Sequence, residues 1–214
     1  MTSSALLDEL WQELDRTQLR DDVYERYATG TQPLAWVSPE SRKALGQRMP
    51  RMASNLCSLA VSSLTERLRI VGFSDSEAYR LFCASDLDQL ASRAMYDALL
   101  YSRSFILVWS ADGKAVASVE DPRMCAVLRD VATRVPTSGI KRWSTKTHTH
   151  AMVYLPDRVE HWVANAPNAG VAGMVLTEVI EHDLQMIPLV VIDNGRSEID
   201  DLMPLVDALN KLLC

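Results

Sequence analysis

At 214 residues the chain is long enough to bury a sizeable core, as one large domain or two small ones. Its 48% hydrophobic and 23% charged residues are those of an ordinary globular protein and exclude wholesale disorder. A formal net charge of −6 argues against a surface built to coat DNA, because affinity for phosphates comes largely from lysine and arginine.

Cys57, Cys83, Cys125 and Cys214 are widely spaced and form no C-x-x-C pair, the pattern of unpaired thiols in a reducing compartment. The first fifteen residues, MTSSALLDELWQELD, lack the basic and apolar regions of a signal peptide. No apolar run reaches the ~18 residues that a membrane span needs, so a cytosolic protein without a membrane partner is expected.

Leu6, Leu7, Leu10, Trp11 and Leu14 recur at helical spacing between acidic residues, predicting an amphipathic helix that starts near Ser3 or Ser4. Gly30, Pro33 and Pro39 interrupt the pattern and mark a connecting segment. Residues 1–30 are therefore expected to form an N-terminal helix or arm, and 31–214 the main domain. A second stripe, Cys57, Ala60, Val61, Leu64, Leu68 and Val71, predicts a core helix ending at Gly72. Asp75 or Ser76 is placed to cap a third helix reaching about Ala84, and Asp86 or Asp88 a fourth that ends near Ser102 and buries Ala91, Ala94, Met95, Ala98 and Leu99.

At Phe105 the period changes from helical to extended. FILVW, the Asp112-Gly113 turn and AVASV read as a β-hairpin. Further strands are expected over residues 140–143, 149–155, 158–164, 174–180 and 187–192, with Pro156-Asp157 turning the second of these into the third. Ser197 and Asp200 resemble a capping box that opens a last helix, whose face is Leu202, Leu205, Val206, Leu209 and Leu212 and which Pro204 should kink or split. Helices, then strands, then a helix predict an α+β fold: a helical N-terminal half packed on a mostly antiparallel sheet, with a closing C-terminal helix. Leu64, Leu68, Phe105, Leu107 and Val190 are expected to share one core.

No constellation of residues announces catalysis. His148 and His150 form an H-x-H pair that a strand would place on one face, with His161 or His182 as a third ligand, but an exposed polar face is the plainer reading. The carboxylate pairs Asp21-Asp22, Glu120-Asp121 and Asp200-Asp201 read as solubility and helix-dipole complementation rather than as a hydrolytic dyad. Gly170 and Gly173 lack the strand-to-helix context of a phosphate loop, and no nucleophile elbow occurs. No catalytic, cofactor-binding or metal residue is therefore assigned. The basic run Arg42–Arg51, RKALGQRMPR, reads first as a solvated loop, then as a subunit contact, and last as a DNA contact. Lys141, Arg142 and Trp143 form a weaker cluster. Trp11 and Trp36 fall in the arm and the loop after it, where they pack within the chain or on a neighbour.

Two distant segments, residues 24–34 (YERYATGTQPL) and 196–212 (RSEIDDLMPLVDALNKL), with 53–73, 99–109 and 187–194 between them in order, resemble the tailed-bacteriophage portal family, especially portals of long-tailed actinobacteriophages. The resemblance implies a wing-like part of a dodecameric head-tail connector ring rather than an enzyme. Its implied partners are other copies of itself, the terminase large subunit, capsid and scaffold proteins, head-tail adaptors and translocating double-stranded DNA. No cofactor and no small-molecule substrate are implied. The implied location is the portal vertex of the virion, reached from the host cytoplasm during assembly. A conduit has no need to grip DNA, so the acidic balance agrees with this. The apolar pattern stops at Cys214 without a cap, so a truncated, inactive fragment of a phage or prophage portal, without the stem, clip and crown and unable to build a working tunnel, is expected. The reading set against it is a small stand-alone intracellular α+β enzyme or regulator.

Overall fold

The computed structural model describes residues 3–33, 43, 55–111 and 113–213. Helix α1 (Ser3–Thr29) is followed by α2 (Leu56–Thr65), α3 (Ser76–Ala84) and α4 (Leu87–Tyr101). Eight strands come next: β1 (Arg103–Ala111), β2 (Lys114–Glu120), β3 (Cys125–Arg129), β4 (Pro136–Ser144), β5 (Thr149–Tyr154), β6 (Arg158–Ala164), β7 (Val175–Glu181) and β8 (Leu189–Asp193). Helix α5 (Met203–Leu213) closes the order. The fold is α+β as expected, but its strands form two antiparallel sheets, ordered β2-β1-β8 and β3-β4-β5-β6-β7.

Alternation along the strands gives the five-stranded sheet two apolar faces. Ala126, Ile140, Ala151, Val153 and Trp162 meet Leu7, Leu10, Trp11 and Leu14 of α1. Cys125, Tyr154 and Val159 point the other way, onto Phe105, Ile187 and Leu189 of the three-stranded sheet and the segment before β8. The sheets approach closely at Gly139, where an added Cβ would lie 3.1 Å from Leu189 Cδ2. A third core joins Tyr24 and Ala28 of α1 to Cys57 and Val61 of α2, Leu99 to Tyr101 of α4, Ile199 and Val206. At 27 residues, or about 40 Å, α1 is long enough to serve both the first and the third core. Gly30, at φ +69°, ends it, with the Thr31 N–H closing onto the Arg26 carbonyl at 2.8 Å.

Helix α2 stops at Thr65, well short of Gly72. Past Ser62 the hydrogen bonds shorten to three-residue spacing, from the Arg67 N–H to Leu64 and from Leu68 to Thr65. Short helices persist where a face is buried, and only Cys57 and Val61 of the stripe find a partner; Leu68 is 44% exposed and Val71 99%. The expected common core of five residues is overturned with it. Leu64, Leu68 and Val190 are exposed, and only Phe105 and Leu107 pack together.

The hairpin and Asp75 agree with expectation. β1 pairs β2 down to Ala111 opposite Lys114, Gly113 takes φ +72°, and the Asp75 carboxylate accepts the Glu77 N–H at 2.9 Å. The C-terminal helix departs from it. Residues 198–202 form turns, and α5 begins at Met203, so Pro204 sits in its first turn, where a missing N–H costs nothing, rather than at a kink. Ser197 lies too far ahead of α5 to cap it; its hydroxyl accepts the Ile199 N–H at 3.4 Å in the preceding turn and donates to the Leu100 carbonyl.

Candidate functional site

The two segments that carried the resemblance meet in space. Tyr24 and Tyr27 lie one turn apart on α1 and face the C-terminal segment. The Tyr24 hydroxyl donates to Asp200 Oδ1 at 2.7 Å, and the Tyr27 hydroxyl donates to both oxygens of Asp207 at 2.8 and 2.9 Å. Burial, reinforced by each carboxylate, pushes both phenols up to about 12, so each stays a donor across the physiological range. One turn earlier, the fully buried Asp21 carboxylate receives the Arg103 guanidinium through two bonds, at 2.7 and 3.2 Å. The Asp21 carboxyl is still held above its ordinary range, because burial outweighs the arginine.

A polar cleft opens beside this network, between α1, α2, α4 and the turn after β2, and it gathers Glu25, Arg93, Asp97, Tyr101, Asp121 and Arg123. Tyr101 donates to Glu25, and Arg123 grips Asp121 through Nε at 3.1 Å and a terminal nitrogen at 2.8 Å. Asp97 is buried, and its Oδ2 lies 3.6 Å from Arg93 Nε, too far for a hydrogen bond. Burial lifts its carboxyl to about 6.

The histidines occupy the end of the five-stranded sheet, on the side turned away from α1. Trp143 on β4 stands directly opposite His150 on β5, with His161 diagonally beyond on β6, their planes within 12° and 16° of their neighbours'. His150 Nδ1 and His161 Nε2 are 3.2 Å apart, so one ring donates to the other. Burial, then the His161 and His148 rings, lowers the His150 pKa. His182 lies apart, edge-on to Trp109. Among the described residues no group of three or more His, Cys, Asp and Glu side chains is placed to hold a metal ion.

The carboxylate pairs are split among separate partners. Glu120 takes Lys141 at 2.6 Å, Asp200 takes Tyr24 and Asp201 takes Arg196. Because neighbours along a strand point to opposite faces, Lys141 and Arg142 do not form a basic cluster. Lys141 reaches Glu120, while Arg142 turns to α1, where it pairs with Asp15 at 2.7 Å and lies 4.5 Å from the Trp11 ring centre. Trp11 therefore packs within the chain. Gly170 and Gly173 flank a short 3-10 turn that leads into β7. The run Arg42–Arg51, Trp36 and Cys214 lie outside the described residues except for Lys43. Cys57, Cys83 and Cys125 are free thiols. No described helix is long and apolar enough to cross a membrane.

Two features escaped the sequence reading. Glu160 is buried on the sheet face beneath α1, where it accepts from Ser3, Arg158 and Trp162 and so ties the start of α1 to β6. Strand β3 is five residues long and follows a proline-led turn, too short a run for its alternation to stand out.

The polar residues described above join helices to sheets. A family model described as phage portal protein, SPP1 Gp6-like, matches residues 74–214, about two thirds of the chain, and no curated protein matches it. The matched span starts just before α3 and takes in α4, both sheets and α5. That family is structural rather than enzymatic, and its membership implies an oligomeric ring and partners in the phage head. By this match over most of its length, the chain belongs to the phage portal protein family, SPP1 Gp6-like.

Proposed function

We propose that the chain is the wing-like portion of a portal ring at one vertex of a phage capsid, through which double-stranded DNA is packaged and later ejected. Its mechanism is geometric: it holds a shape and presents contact surfaces, and it makes or breaks no covalent bond. Residues 1–30 supply a helix that braces the domain, and residues 31–214 supply the α+β wing. Its partners are further copies of itself, the terminase large subunit, capsid and scaffold proteins, head-tail adaptors and the moving DNA, with no cofactor, membrane or small-molecule substrate. It acts in the virion after assembly in the bacterial cytoplasm.

The observation that carries this reading is the family match over residues 74–214. The bonds from Tyr24 and Tyr27 to Asp200 and Asp207 support it by tying α1, which precedes the matched span, to the end of that span. The net charge of −6 also suits a channel wall that DNA slides past. Electron microscopy of the purified protein, with immunolabelling of virions, tests the proposal. Self-association of the purified chain and label at a single vertex are expected; a chain that stays monomeric at every concentration, or that is absent from virions, would refute it.

A further inference from the structure

The solvent side of α5 is a single stripe. Pro204, Leu205, Ala208, Lys211 and Leu212 recur at helical spacing and are all exposed, Leu205 by 66% and Leu212 by 85%, while Val206 and Asn210 on the other side are buried. The buried side packs on α2 and the end of α1, which leaves an exposed apolar ridge carrying Lys211.

A groove of matching character lies elsewhere, between the tip of the β1–β2 hairpin and the segment joining β7 to β8. Trp109, Ile187 and Pro188 form its floor, Leu184, Met186 and Val190 its exposed walls, and its volume is about 630 Å³. Among the described residues no part of α5 lines it, nor does any lysine or arginine, though Lys114 stands exposed at the hairpin tip between the lining residues Gly113 and Ala115. The opposite rim is acidic, with Glu181 in the lining and Asp183 beside it, both exposed.

We propose that the α5 ridge of one copy docks in this groove on a second copy, with Leu205, Ala208 and Leu212 on the apolar floor and Lys211 at the rim between Glu181 and Asp183. An amphipathic helix laid in an apolar groove is a recurrent mode of recognition, and the volume is that of a pocket able to take several side chains. Charge favours this occupant: Lys211 meets Glu181 and Asp183 on the β7–β8 side of the groove, away from Lys114 at the hairpin tip. Ridge and groove are different surfaces, so the contact is heterologous and repeats around a ring rather than closing a pair. The proposal rests on the ring reading and adds to it where two subunits touch.

The test uses the whole chain with Cys83→Ser and Cys214→Ser, carrying either Leu212→Cys or Met186→Cys. Mild oxidation should give disulfide-linked dimers in the mixture of the two and far less in either alone; equal yields from one variant by itself overturn the pairing. Sedimentation gives the second measure. Leu205→Asp with Leu212→Asp, both at exposed positions and checked for folding by circular dichroism, should weaken association at least tenfold. Lys211→Glu should weaken it less, and adding Glu181→Lys should restore it. Association that survives the leucine replacements overturns this contact and leaves the ring reading standing, whereas a wild-type chain that stays monomeric at every concentration overturns both.

Discussion

The Tyr24 hydroxyl meets Asp200 Oδ1 at 2.7 Å across 176 positions of sequence. With Tyr27 and Asp207 it joins the first helix to the last, in a region where the apolar contact between them is confined to a few residues such as Tyr24, Ala28, Ile199 and Val206. A hydrogen bond to a charged, partly buried acceptor contributes about 1.5–3 kcal/mol. Tyr24→Phe should therefore lower stability by about 1.5–3 kcal/mol in urea denaturation, and Tyr24→Phe with Tyr27→Phe by more. In a double-mutant cycle with Asp200→Ala, a coupling energy near zero would show that the bond does not hold the two ends together.

The cleft beside that junction makes a prediction about pH. Asp97 is buried without a hydrogen-bond donor at Oδ2, and burial raises its carboxyl from an ordinary value near 4 to about 6, in spite of Arg93. Between those values the folded chain holds a proton that the unfolded chain has released. The stability it contributes is complete below about pH 4 and is lost as pH rises through 6. Asp97→Asn stays neutral throughout, so the variant should match wild type near pH 4 and exceed it by about 1–3 kcal/mol at pH 7. A wild-type stability that rises between pH 4 and 6, and rises by the same amount in Asp97→Asn, would contradict this.

Gly139 is held to glycine by the opposite sheet. The position of its missing Cβ is 3.1 Å from Leu189 Cδ2 and 3.4 Å from Val127 Cγ1, so any side chain must push the sheets apart or displace Leu189. Gly139→Val is expected to destabilise by about 1–3 kcal/mol, the usual cost of overpacking. Leu189→Ala in the same chain should recover part of that loss. Additive penalties would mean that the two residues do not compete for one space.

What the sequence made legible were features that depend on near neighbours. The cap at Asp75, the hairpin that turns at Gly113 and the alternation in β4, β5 and β6 each rest on a few adjacent residues, and each has its expected place. What it concealed depends on distant partners. The stripe through Leu64, Leu68 and Val71 has a helical period but stays exposed, and period alone cannot reveal that. Glu160 and Asp97 look like any other acids until Ser3, Trp162 and Arg93 are brought beside them. The five-stranded sheet is also apolar on both faces, which an alternating pattern read one strand at a time does not disclose.

That contrast between period and partner supports a final prediction. Phe105 is fully buried between the sheets, with Cys125, Tyr154, Val159 and Leu189 around it, so Phe105→Ala leaves a cavity that a core sealed by two sheets cannot collapse to fill. A loss of about 3–5 kcal/mol is expected, enough to unfold a domain of ordinary stability in mild urea. Leu68 is expected from its apolar stripe to share that core but stands 44% exposed past the end of α2, and Leu68→Ala should change stability by no more than about 0.5 kcal/mol. The two variants distinguish three separate cores from one shared core. Comparable losses from both would mean that Leu68 is packed after all, and that the helix runs on to Gly72.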